Sequence, residues 1–221
     1  MRKDVRAGHG RISPDELVRI YHPIKDTIEA RLAEFKLVWG SADDEELFRE
    51  LAFCLLTPQS KARVCWSAVC RLVDKGLLTG ADAQQIAEEL SGVRFHHRKA
   101  LYITLARGLM EGRSLRETLS GFPGPFQARE WLVGDVIGLG YKEASHFLRN
   151  IGIGEDLAIL DRHILRNLEL LGVIEEVPAA LTRRAYLEIE GRMAAFSEQI
   201  KVPMGHLDLL LWYKETGEVF K

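Results

Sequence analysis

Cysteine is scarce: Cys54, Cys65 and Cys70 are the only three in 221 residues. An odd count inside helix-patterned segments suits reduced thiols in a core better than a disulfide framework. Cys65 and Cys70 would lie about 140° apart around one helix, so they face different ways and make a poor zinc or iron-sulfur pair without further ligands. No apolar run approaches the ~20 residues that span a bilayer, and the opening MRKDVRAGHGRISPDE lacks the apolar core of a signal peptide. The expected location is therefore cytoplasmic, with no membrane partner. Alternating runs that would mark strands are missing too, as are tandem repeats and low-complexity tracts. Excess basic charge is also absent. With 30 Lys and Arg against 32 Asp and Glu, the net charge is −2, so the whole chain is not the cationic object that sequence-blind DNA binding favours.

What remains is an ordinary globular composition, 47% hydrophobic and 28% charged, long enough for one large or two small domains with a sizeable core. Apolar residues recur at helical spacing: Leu47, Leu51 and Leu55; Ala144, Phe147, Leu148 and Ile151; Leu160, Ile164, Leu168 and Leu171. The pattern predicts an essentially all-α fold of about ten helices. Ser13 and Pro14 mark a first helix start, and Pro23 is expected to restart the chain. Ser41, followed by acids that suit the positive end of a helix dipole, is expected to open the next helix. Pro58 should end it, and Gly76 should close the one after. Further helices are expected near 82–90, 96–111, 125–137, 142–151, 161–171, 178–195 and 203–213, with GFPGP at 121–125 the strongest loop signal mid-chain. Charge is uneven: between positions 94 and 116, Arg94, Arg98, Lys99, Arg107, Arg113 and Arg116 face the single acid Glu111. That stretch suits phosphates as well as it suits a solvated helix.

REWLVGDVIGLGYKEASHFLRNIG reads as helix, tight turn, helix. Gly138 and Gly140 can take backbone angles closed to other residues, while Leu139 between them points into the helix pair. The amides of such a turn can hold a phosphate oxygen; a purely structural αα-hairpin reads the same way. Lys142 follows in the first helical turn, at the positive end of the dipole, where an anion would be preferred. Partial desolvation there would lower its pKa and favour the neutral amine that a nucleophile needs, whereas full solvation would leave an ordinary surface lysine. Nineteen residues on, Asp161 in LDRHI stands before another amphipathic helix. It suits an N-cap and a carboxylate for chemistry, two compatible roles.

The pairing of GLGYK with LDRHI resembles the helix-hairpin-helix DNA glycosylase superfamily, whose hairpin lysine and following Asp form the active site of the bifunctional members. From about Asp44 to the C-terminus the chain is similar to the small 8-oxoguanine DNA glycosylase/AP lyases first described in archaea. The resemblance implies an all-α, two-domain helix-hairpin-helix glycosylase fold with an interdomain active-site cleft. Residues 44–151 would form a helical barrel that contains the hairpin and Lys142, and residues 1–43 plus 152–221 a second helical domain that Asp161 opens. In LLTPQSKA, Gln59 is then implied in groove or base contact. In GVRFHHRKA, Phe95 would be the wedge in the base stack and Arg94 would meet the orphaned partner base, within an exposed, basic setting that includes His96, His97, Arg98 and Lys99. Near the end, Trp212 would stack on the damaged purine, Lys221 would help to read it, and Asp208, one helical turn before Trp212, could face the same pocket. The ordinary alternatives are helix packing, a frayed terminus and a solvated acid.

The implied partner is double-stranded DNA containing 8-oxoguanine, met by a monomer whose anchoring amides lie at Gly138, Gly140 and their neighbours. The damaged nucleotide would be extruded, Lys142 would displace the base to form a Schiff base, Asp161 would assist, and β-elimination would nick the strand. No cofactor or metal is expected. Relatives that carry an iron-sulfur cluster need four cysteines near the C-terminus, and none lies beyond Cys70. A glycosylase for another damaged base, or a non-catalytic helix-hairpin-helix DNA-binding protein, stays open at this point.

Overall fold

The computed structural model describes residues 12–221; residues 1–11, the start of the segment assigned to the second domain, lie outside it. Among the described residues there are twelve helices and no strand: α1 (Pro14–Ser41), α2 (Asp44–Leu56), α3 (Ala62–Asp74), α4 (Leu77–Gly80), α5 (Ala83–Glu89), α6 (His96–Met110), α7 (Leu115–Ser120), α8 (Pro125–Asp135), α9 (Tyr141–Asn150), α10 (Arg162–Leu170), α11 (Arg183–Ile200) and α12 (Met204–Thr216). None of them is long and apolar enough to cross a membrane. Ser13 caps α1, its Oγ accepting from the Glu16 amide at 3.1 Å. Two boundaries differ from expectation. Pro23 lies inside α1 rather than restarting the chain. Its missing N–H leaves the carbonyl of Arg19 without an intrahelical partner, but Arg19 and Pro23 are both exposed, so water can take that bond. Ser41 does not open α2 either. Its hydroxyl donates back to Leu37 O at 2.8 Å as the last residue of α1, and Asp43 caps α2 with Glu46 in a reciprocal capping box. Helix α11 runs later than the expected 178–195 because Thr182 caps it and Lys201, in a left-handed conformation, ends it.

The described residues pack as two units, a middle one of residues 30–159 with Lys221, and a terminal one of residues 12–29 and 160–220. The middle unit is built around α2. From Leu47 to Leu56 every residue except Arg49 is buried, the pattern of a helix enclosed on all sides, and α3, α6, α7 and α9 pack on it. Leu51 and Leu55 are fully buried there, so truncating either to Ala costs about 2–5 kcal/mol. The three cysteines are free, Cys54 and Cys65 in this core and Cys70 half-buried. In the terminal unit α10 and α11 pack against α12, and Tyr21 of α1 meets His206 of α12, hydroxyl to Nδ1, at 2.8 Å.

Helix α9 is buried from Ala144 to Asn150, polar residues included. Ser145 Oγ accepts from Arg129 Nη1 at 3.1 Å, and His146 meets the Phe53 ring edge-on at 5.5 Å. Burial first, then the positive charges of Arg149, Lys142 and Lys221, hold the His146 imidazole well below its ordinary pKa of 6.5. The folded protein thus keeps His146 neutral while the unfolded chain protonates it, so stability is lost as pH falls below 6.5 and is unaffected above it. Urea melts at pH 7 and pH 5 should show wild type losing about 2 kcal/mol more than His146→Leu over that interval; equal losses would remove His146 as the cause.

Candidate active site and nucleic-acid interface

The turn between α8 and α9 explains its own glycines. Gly138 has φ +95°, and a Cβ there would stand 2.3 Å from the Tyr102 ring, so no side chain fits. Leu139 is buried in the core, as its place in the hairpin requires. Gly140 is the N-cap of α9 and supplies no side-chain cap, so the first-turn amides are presented without a resident side-chain acceptor from that residue. Ile137, just before the turn, is 58% exposed, an apolar tip for which the sequence gives no periodic signal.

Lys142 is the second residue of α9. Its side chain is 21% exposed, with Nζ 3.4 Å from Thr57 Oγ1 and 3.7 Å from Glu143 Oε1. Thr57, buried, donates its own hydroxyl proton to Cys54 O at 2.9 Å. The oxygen that faces Lys142 is therefore committed as an acceptor, and it steers the amine while leaving Nζ partly open to solvent.

Two loops carry Gln59, Arg94 and Phe95. Gln59 has φ +56° and Phe95 φ +58°, left-handed conformations that cost a non-glycine residue about 1–2 kcal/mol. Both side chains are exposed, Phe95 by 56%, and the Arg94 guanidinium lies over the Phe95 ring at 5.5 Å. Phe95 is thus not a core aromatic. The basic setting around it is thinner than the sequence suggests. Lys99 is buried, its ammonium bound to Leu56 O, Pro58 O and Ser60 Oγ, and burial pushes its pKa down. Arg107 is spent on the carbonyls of Leu78 and Ala81, and Arg116 on those of Trp39 and Ala42. Of the six cations between 94 and 116, these three tie down backbone, leaving Arg94, Arg98 and Arg113 exposed.

In the terminal unit Asp161 is the N-cap of α10, and its Oδ1 accepts from the amides of His163 and Ile164, both at 2.8 Å. Both bonds use one oxygen, so Oδ2 takes no part in the cap. The His163 ring meets Trp212 edge-on at 5.6 Å, and Glu215 accepts from Asn167 Nδ2 at 3.0 Å. Hydrogen bonds from Asn167 and Lys214 hold the Glu215 carboxyl below its usual range against a burial effect that acts upward. Asp208 on α12 is buried rather than solvated.

Lys221 groups with the middle unit. Its ammonium pairs with Glu50, a carboxylate only 1% exposed, and sits 3.8 Å above the Trp66 ring centroid. Asn150 Nδ2 donates to the other Glu50 oxygen at 3.3 Å. Burial lowers the Lys221 pKa, partly offset by Glu50. Glu50 was not singled out from the sequence, although an acid three residues after Leu47 and four before Cys54 falls on the apolar face of α2. Thr57, Ser60 and Trp66 carry no comparable signal.

The sequence matches the Ogg-HhH family, described as 8-oxoguanine DNA glycosylase, over residues 28–202. The chain belongs to the 8-oxoguanine DNA glycosylase family. Among curated members, an 8-oxoguanine DNA glycosylase/AP lyase of Fusobacterium nucleatum is 44% identical over 94% of this chain and 97% of its own. One of Methanocaldococcus jannaschii is 41% identical over 90% and 93%. A crystal structure of a Methanocaldococcus jannaschii 8-oxoguanine glycosylase/lyase in complex with a 15-mer DNA containing 8-oxoguanine superposes with a TM-score of 0.87 at 37% identity, covering 94% of this chain and 99% of that one. The fold is thus the helix-hairpin-helix glycosylase fold, with α8, the glycine turn and α9 as its hairpin. Within this family member the middle unit holds Gln59, Arg94, Phe95, Gly138, Gly140, Lys142 and Lys221, and the terminal unit holds Asp161, Asp208 and Trp212.

Removing Lys221 strands the buried Glu50 carboxylate. Loss of one partner from such a pair costs about 3 kcal/mol, read as a lower urea midpoint, and adding Glu50→Gln to the deletion should restore most of it. A double variant no more stable than the deletion would show that the stranded Glu50 carboxylate is not the cause of the loss.

Proposed function

We propose that the protein excises 8-oxoguanine from double-stranded DNA and then nicks the strand as an AP lyase, acting as a cytoplasmic monomer. The observation that carries this reading is the likeness, over nearly the whole chain, to a solved relative bound to 8-oxoguanine DNA. Local geometry supports it. The hairpin delivers Lys142 to a half-buried position against an acceptor oxygen, and two exposed side chains stand on left-handed backbone nearby in the same unit.

In this reading the hairpin amides from Gly138 to Lys142 bind phosphate oxygens, which lets a protein of net charge −2 hold DNA. Phe95 fills the gap left by the extruded nucleotide, with Arg94 and Gln59 on the bases beside it. Trp212 stacks on the damaged purine, while Asp208 and Lys221 contribute to reading it. Neutral Lys142 then attacks the anomeric carbon. The glycosidic bond breaks, its electron pair leaves with the base, and a proton completes the freed purine. Asp161 stabilises the positive charge that develops on the sugar and exchanges protons with the amine. Opening of the sugar ring gives an imine between Nζ and the former anomeric carbon. The imine acidifies the adjacent carbon, so loss of that proton expels the 3′ phosphate oxygen, and water later releases Lys142.

Borohydride should trap wild-type protein covalently on an 8-oxoguanine duplex, whereas Lys142→Gln binds the duplex without trapping; trapping by that variant at the wild-type level would overturn the nucleophile. A panel of lesion duplexes decides the base, and faster excision of an oxidised pyrimidine would move the enzyme to another substrate. Trp212→Ala should slow 8-oxoguanine excision about tenfold or more, measured by single-turnover kinetics, with duplex affinity changing less.

A further inference from the structure

Lys99 is a buried cation that the proposed chemistry does not use. Its ammonium has three N–H donors and three acceptors: Leu56 O and Pro58 O, each at 2.6 Å, and Ser60 Oγ at 3.0 Å. Leu56 is the last residue of α2, so the charge sits at the negative end of a helix dipole, where a cation is stabilised. Ser60 Oγ also accepts from the Arg94 amide at 3.0 Å, and the Lys99 amide itself donates to Phe95 O at 3.0 Å. The Lys99 side chain therefore holds the Gln59 loop and, through Ser60 Oγ, reaches the Arg94 amide beside Phe95, whose carbonyl takes the first backbone bond of α6. Capping of α2 accounts for the Lys99 bonds to Leu56 O and Pro58 O, but not for left-handed backbone at two exposed side chains. A helix C-terminus can be capped by glycine, and neither an exposed phenylalanine nor an exposed glutamine gains anything from left-handed backbone.

We infer that Lys99 is a positioning residue that locks Gln59 and Phe95 into one preformed device for opening the DNA duplex. Through the Lys99 and Ser60 contacts the two side chains enter the base stack together, so the ordering of both loops is complete before DNA arrives. The inference rests on the reading of Phe95 as the wedge, and the test separates the two.

Extrusion is followed by stopped-flow fluorescence of 2-aminopurine placed beside 8-oxoguanine in a duplex, with borohydride trapping on a single-stranded abasic oligonucleotide as the measure of chemistry without duplex opening. Phe95→Ala and Lys99→Met should each slow extrusion about tenfold, a larger loss than either shows in single-strand trapping. Ser60→Ala should slow it about threefold. The double variant Lys99→Met with Phe95→Ala should be no slower than the worse single variant, because both remove one device; a merely structural lysine would give multiplying effects, and that result overturns the inference. Wild-type extrusion by Lys99→Met, or by Ser60→Ala should Lys99→Met not fold, overturns the coupling while a slow Phe95→Ala leaves the wedge standing. Wild-type extrusion by Phe95→Ala removes the wedge and the inference with it.

Discussion

A helix enclosed on all sides must still end, and its last carbonyls must find donors. For α2 that constraint organises the middle unit. The Leu56 carbonyl receives the Lys99 ammonium and the Cys65 thiol, and the Cys54 carbonyl receives the Thr57 hydroxyl. Each satisfying donor carries a consequence. Lys99 fixes the loop of Gln59, Thr57 turns an oxygen towards Lys142, and burial of Cys65 pushes its thiol up to about 11, which keeps it inert beside two lysines. A buried polar end that would otherwise cost several kcal/mol becomes the frame on which Lys142 and the Gln59 loop are mounted.

The same unit holds cations in its core or at the edge of it with few buried anions to match. Glu50 is the one buried acid of the middle unit among the described residues, and it is held by Lys221 and Asn150. Lys99, Arg107 and Arg116 are satisfied by carbonyls instead, so their charge is not cancelled. Backbone dipoles stabilise a cation without removing its field. Local positive charge can therefore persist in a chain whose net charge is slightly negative.

The all-α class was legible because helical periodicity is strong in nearly every segment. The hairpin was legible because Gly138 has no alternative beside Tyr102. Asp161 could be placed at a helix start from residue type alone, since an Asp before an amphipathic run is a cap by ordinary chemistry. What escaped had no local signature. Pro23 reads as a break until the exposed face of α1 shows where the freed carbonyl finds water. Ser41 and Asp43 are both good caps, and only the reciprocal bond to Glu46 chooses between them. Lys99 reads as one more cation in a basic run, because its acceptors come from residues about forty positions earlier. Left-handed backbone at Gln59 and Phe95 is invisible in residues that rarely adopt it.

Lys142 shows why such non-local satisfaction matters for chemistry. An amine at a helix N-terminus is repelled by the dipole and has no reason to stay near the turn; left to itself it would extend into water. The Thr57 oxygen, fixed by its bond to Cys54 O, and the Glu143 carboxylate hold it near the turn. A bound phosphate would then compete with Glu143 for the same positive end of α9. In the proposed function, nucleophile and phosphate anchor would share one helix terminus, so each would act on the other through electrostatics.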